Sequence, residues 1–151
     1  MAALIRFIAS GFGCGYAPVA PGTFGSLGGL AIGAAILWFV PGLLPLAAIL
    51  AVLLGVWATQ HIGGDDDPGW ITIDEIAGQL IALLPLGRPS LAGLLLAFGL
   101  FRVFDIWKPG LVGWADRQHG AFGVMADDVI AGAMAAGLLW AALAVWPMIF
   151  A

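Results

Sequence analysis

Nine carboxylates are the main chemistry this chain offers: Asp65, Asp66, Asp67, Asp74, Glu75, Asp105, Asp116, Asp127 and Asp128. They sit in a sequence that is 62% hydrophobic, and none lies in the middle of a long apolar run. A carboxylate in such surroundings must reach water, a cation or a metal, or be neutralised. Acids from several segments, with one Cys and two His in the chain, suit a hard, oxygen-seeking cation such as Mg²⁺. With Lys and Arg beside them, they are also the parts of a phosphoryl-transfer site.

The cations are spaced accordingly. Arg102, Asp105 and Lys108 recur at i, i+3 and i+6, a slowly drifting stripe on one helix. Such a stripe is either a structural ion-pair ladder or a place where two cations hold an anion beside a metal-binding Asp. Asp116, Arg117 and His119 repeat the mix nearby. His119 is an ordinary surface His, a ligand or a general acid–base. Asp74 and Glu75 open a helix, where acids complement the macrodipole, and Glu75 shares a face with Gln79. Asp127-Asp128 reads as the start of the last helix, one Asp capping it and the other left as a ligand. Backbone N–H groups of Pro21-Gly-Thr-Phe-Gly-Ser26, with the hydroxyls of Thr23 and Ser26, can hold a phosphate at a helix N-terminus. The same hydroxyls can equally serve as caps. Cys14 reads as a small loop residue.

The elements that position these residues belong to a membrane protein. Mean hydropathy is +1.07 and only 9% of the residues are charged, against about a quarter in soluble domains. The net charge of -4 argues against a nucleic-acid partner. The chain of 151 residues is read as one domain, 1–151. Met1–Ser10 reads as a short interfacial helix rather than a cleavable signal. Gly11–Ser26 reads as an ordered loop, and His61–Gly69 as a polar one. Apolar helices are expected over Leu27–Val40, Leu43–Gln60, Ile73–Leu86 and Leu91–Lys108, and from Asp127 or Asp128 to about Ile149. The fold class is therefore all-α: a polytopic membrane helical bundle of about four to five apolar helices, in two hairpins plus a C-terminal helix. Leu27–Val40 and Ile73–Leu86 are short against the roughly 20 residues of a full span. Hairpin parity brings every acidic cluster to one side. Arg6, Arg102, Lys108 and Arg117 fall there too, with Arg88 opposite, which makes that side cytoplasmic.

Several phosphatase templates are absent. Cys14 lacks the Arg of a cysteine-phosphatase loop, no Asp-x-Asp-x-Thr/Val run offers an aspartyl nucleophile, and no paired His motifs occur. Four other stretches are informative. Gly11-Phe-Gly-Cys-Gly-Tyr-Ala-Pro-Val-Ala-Pro-Gly-Thr-Phe-Gly-Ser26 is followed by Asp67-Pro-Gly-Trp-Ile-Thr-Ile-Asp-Glu75 with Gly78. Phe101-Arg-Val-Phe-Asp-Ile-Trp-Lys-Pro109 with Asp116-Arg117 comes next, then Gly123-Val-Met-Ala-Asp-Asp128 with Ala131-Gly132. In this order they resemble the phosphatidylglycerophosphatase A family of bacterial membrane enzymes. The chain departs at Lys108-Pro109-Gly110-Leu111, where the family often has a second Pro. It departs again at Gly120-Ala121-Phe122-Gly123, where a Gly-Gly pair is common.

The resemblance implies an all-helical fold and Mg²⁺-dependent dephosphorylation of the phospholipid phosphatidylglycerol phosphate. The site would face the cytoplasm at the bacterial inner membrane. On this reading Asp74, Glu75, Asp105, Asp127 and Asp128 are the catalytic carboxylates, with Glu75, Asp105 and Asp128 holding metal. Arg102, Lys108 and Arg117 bind phosphate, Thr23 and Ser26 line its loop, and His119 is a candidate acid–base. The competing readings are a cation-coupled small transporter, which needs carboxylates near the bilayer midplane, and a lipid phosphatase with another phosphoester substrate. The sequence does not specify an oligomeric state.

Overall fold

A computed structural model describes residues 1–63 and 68–145. The run Asp65–Asp67 with Gly64 before it, and the chain beyond Val145, lie outside the described residues. Among those described there are seven α-helices and no strand. They are α1 (Ala2–Ala9), α2 (Pro21–Phe39), α3 (Leu44–Ile62), α4 (Ile73–Ala82), α5 (Leu91–Trp107), α6 (Leu111–Asp116) and α7 (Gly120–Val145). Helix α1 buries Ile5 and Ala9 and leaves Leu4 and Phe7 exposed.

Three expected boundaries move. Helix α2 starts at Pro21, so Pro21–Ser26 is helix rather than loop. Proline at the first helical position is preorganised for it and loses no hydrogen bond there. The element thus gains enough length to cross a membrane, as do Pro41–Ile62 and Gly120–Val145. Helix α4 stops at Ala82 instead of Leu86, because Pro85 bars the residue before it from the helical region. Helix α7 starts at Gly120, seven residues before Asp127, so neither Asp127 nor Asp128 is a cap. The short α6 lies within the stretch expected to be loop.

Helix α4 is the centre of the molecule. Eight of its ten residues are buried, including Asp74 and Gln79. At about 15 Å long it is too short to span, and it is enclosed by protein instead of lipid. Helices α2, α3 and α7 all pack extensively on it, whereas α2 and α3 barely touch each other. The arrangement is a set of helices around α4. The closest approach is between α4 and α7, where a Cβ on Gly132 would overlap the Gly78 carbonyl, and one on Gly78 would come within 2.7 Å of the Asp128 carbonyl. Two backbones can meet this closely only through glycine. The outer surfaces carry exposed Trp38, Phe39, Leu53 and Trp140, as helices facing lipid require.

Candidate active site

The close α4–α7 contact brings two acidic dipeptides together. Asp74 and Glu75 lie in the first turn of α4, and Asp127 and Asp128 lie in the first third of α7. Asp74, Glu75 and Asp128 each present a carboxylate oxygen, and these atoms lie within 4.8 Å of one another. One hard cation can bridge that spacing with bonds of about 2–2.5 Å. Asp128 is only 3% exposed. Its Oδ1 and Glu75 Oε2 are buried with no hydrogen-bond partner. At such spacing each pair of ionised carboxylates repels by about 3–4 kcal/mol at an effective dielectric constant near 20. Burial drives the pKa of Glu75 upward, and Asp105 adds to the rise, while Asp74 and Arg102 oppose it. The unpartnered oxygens of Glu75 and Asp128, buried beside a third carboxylate, are donors that a divalent cation stabilises.

Helix α5 contributes the cationic edge. Arg102 Nη1 is paired with Asp105 and donates to Ser26 Oγ at 3.1 Å. The negative charge of Asp105 also acts on Asp128. Ser26 is 0% exposed, and its hydroxyl donates to the Gly22 carbonyl at 2.9 Å. That hydroxyl donates to Gly22 and accepts from Arg102, so it helps to orient the guanidinium from inside the protein. Thr23 is half-buried in the first turn of α2, its amide already donating to Ala20 O at 2.9 Å. The backbone of α2 presses on the acids directly, since a Cβ on Gly22 would overlap Glu75 Oε1.

The Arg102–Asp105–Lys108 stripe does not act as one ladder. Lys108 ends α5 in the left-handed region, with φ 49° and ψ 52°. That turn sends its ammonium away from Asp105 to Asp116 and to Asp127 Oδ2, the latter at 2.8 Å. Burial pulls the Lys108 pKa down, but the hydrogen bonds it donates to Asp116 and Asp127 outweigh it and leave the group raised. Asp127 is fixed from its other oxygen, which accepts from the Asp128 amide at 3.0 Å.

Two charge groups therefore adjoin. One contains Asp74, Glu75, Asp128 and the Arg102–Asp105 pair. The other contains Lys108, Asp116 and Asp127. Arg117 and His119 are exposed around the α6–α7 turn, and neither forms an ion pair among the described residues. Asp74 stands in the metal-capable group where the sequence reading had placed Asp105. Gln79, fully buried with both amide atoms unpartnered, was noted in sequence only as a neighbour of Glu75. Its i,i+4 spacing was the available signal. A groove of about 280 Å³ between α3 and α4, lined by Ala48, Val52, Ile81 and Leu84 among others, is apolar and bears no chemistry.

A family model described as phosphatidylglycerophosphatase A matches residues 7–143. The phosphatidylglycerophosphatase A of Escherichia coli K12 is 35% identical over 152 residues, covering 95% of this chain and 86% of that protein. The phosphatidylglycerophosphatase A of Haemophilus influenzae Rd is 38% identical over 132 residues, covering 84% and 81%. A Bacteroides thetaiotaomicron protein provisionally named phosphatidylinositol-3-phosphatase is 40% identical over 134 residues, covering 83% and 84%. No solved structure shows a significant match.

Proposed function

Because the chain belongs to the phosphatidylglycerophosphatase A family and is thus a phosphatase, we propose that it hydrolyses phosphatidylglycerol phosphate to phosphatidylglycerol and inorganic phosphate. The observation that carries this reading is the convergence of Asp74, Glu75 and Asp128 beside Arg102 in a chain with membrane-crossing helices. These three carboxylates would hold a divalent cation, Mg²⁺ by the hardness of an all-oxygen donor set. When bound, it neutralises charge on the transferring phosphoryl group.

The remaining work falls to the chain's own side chains. Asp105 and Ser26 hold the Arg102 guanidinium in one orientation, and a fixed guanidinium suits a phosphate oxygen pair. Asp127 and Asp116 hold the Lys108 ammonium as a second cation at the edge of the site. Thr23 and Arg117, nearer the surface, would meet the headgroup, and His119 is exposed beside them. In the reaction a water oxygen bonds to phosphorus, the ester bond to glycerol breaks, and the glycerol oxygen takes a proton. Exposed Trp107, Trp114 and Phe122 beside the charged residues suit a membrane interface. Arg6, Arg102, Lys108 and Arg117 support a site on the cytoplasmic side of a bacterial inner membrane.

Membership of a phosphatase family weighs against the transporter. The Bacteroides relative favours one second reading, a lipid phosphatase for another phosphomonoester. Both are tested by phosphate release from purified protein in mixed micelles. Phosphatidylglycerol phosphate, phosphatidic acid and phosphatidylinositol 3-phosphate are compared with Mg²⁺ and with EDTA. The expected result is a preference for phosphatidylglycerol phosphate that EDTA abolishes. A preference for either other lipid reassigns the substrate, and full turnover in EDTA removes the cation from the reading.

A further inference from the structure

We propose that Gln79 is a neutral oxygen ligand of the cation site, closing its deep side with its amide carbonyl. This rests on the reading of Asp74, Glu75 and Asp128 as that site. Gln79 lies one turn below Glu75 on α4, on the same face. Both side chains face α2: a Cβ at Gly25 would lie 3.3 Å from Glu75 Cβ, and one at Gly29 would lie 3.0 Å from Gln79 Cβ. Helical side chains lean toward the N-terminus, so the Gln79 amide is directed at the turn that carries Asp74 and Glu75.

Gln79 is 0% exposed, and neither its amide oxygen nor its amide nitrogen has a partner. Glu75 Oε2 and Asp128 Oδ1, at the site itself, are buried and unpartnered as well. Buried polar atoms in proteins are nearly always paired. A core position with no polar task is filled more favourably by Leu or Met, which leave no donor or acceptor bare. One hard cation, which takes carboxylate and side-chain carbonyl oxygens alike, would satisfy the unpaired oxygens of Glu75, Gln79 and Asp128 together and leave only the Gln79 amide nitrogen without a partner. A neutral amide adds a ligand without adding charge. That matters where Asp105 and Asp127 already press on Asp128.

The test uses full-length protein purified in detergent, with Mn²⁺ as a paramagnetic probe. Wild type is expected to bind Mn²⁺ tightly, and Asp128→Asn to lose that site. Gln79→Leu is expected to weaken Mn²⁺ binding by about tenfold or more, while its unfolding temperature without metal holds or rises. Gln79→Glu keeps an oxygen in place and should retain binding. Gln79→Met repeats the test should Leu fail to pack. Wild-type Mn²⁺ affinity in a folded Gln79→Leu or Gln79→Met protein overturns the proposal and leaves the carboxylate site standing. No Mn²⁺ site in wild type, or one that Asp128→Asn leaves unchanged, overturns the carboxylate reading and this ligand with it.

Discussion

Asp127 and Asp128 are consecutive residues of α7 whose carboxylates serve different charge groups. Asp127 Oδ2 meets Lys108 Nζ at 2.8 Å, whereas Asp128 joins Asp74 and Glu75. Successive residues on a helix point about 100° apart. A pair that reads as a doubled motif is therefore two devices on one turn, joined by the Asp128 amide that donates to Asp127.

Their amide variants should separate. Asp128→Asn removes a ligand charge and is expected to lower kcat by about 10²-fold or more, roughly 2.7 kcal/mol of barrier. It also relieves repulsion within the cluster, so metal-free thermal stability should hold or rise. Asp127→Asn removes one of the two charges that hold Lys108 and is expected to act mainly on KM. Steady-state kinetics at several surface concentrations of lipid, with melting curves, check both. Indistinguishable kinetic defects would mean that the two acids form one site.

Asp105 and Lys108 should separate in the same way along α5. Asp105→Asn keeps its shape but loses the charge that orients Arg102 and adjoins Asp128, and about 10²-fold in kcat is expected. Lys108→Ala removes an ammonium from ground state and transition state alike, so KM rises as kcat falls. Near-wild-type turnover in a folded Asp105→Asn protein would make the Arg102–Asp105 pair structural only.

Glu75 sets a pH dependence. Burial raises its folded pKa above the ordinary value of 4.5, so the folded state binds this proton more tightly than the unfolded chain does. Metal-free stability from this group is complete below pH 4.5 and is lost as pH rises from there through the raised folded value. Mg²⁺ is expected to restore what is lost on the alkaline side, and Glu75→Gln to flatten the slope. Melting temperatures across that range, with and without Mg²⁺, provide the measurement. A metal-free slope of the opposite sign would refute the assignment to Glu75.

Gly22→Ala tests how closely α2 is pressed on the site. The added methyl would overlap Glu75 Oε1, so the carboxylate must swing away from α2 and change its position relative to Asp74 and Asp128. Loss of activity by about tenfold or more is expected with helical content intact by circular dichroism, because alanine is the better helix former. Unchanged turnover would show that Glu75 has room to spare.

The sequence by itself determined the solvent, the element type and the inventory of chemistry. A mean hydropathy of +1.07 requires lipid. Apolar runs broken at Pro41-Gly42, Gly87–Ser90 and Pro109-Gly110 define helices, and the retained acids and bases are few enough to name in advance. These are local properties, set by each residue and its near neighbours. Only the tertiary structure decided which carboxylates converge and which share Lys108, that Ser26 is sealed behind Arg102, and that Arg117 and His119 stay at the surface. It also enclosed the ten-residue α4 in protein and carried α7 seven residues past the aspartate that reads as its cap. An N-cap preference is worth about 1 kcal/mol, less than burying Ala121, Val124 and Met125 in the preceding turns of α7 contributes. Helix rotation and depth follow from where glycines such as Gly22, Gly78 and Gly132 let backbones meet, a relation between distant segments that no local pattern records.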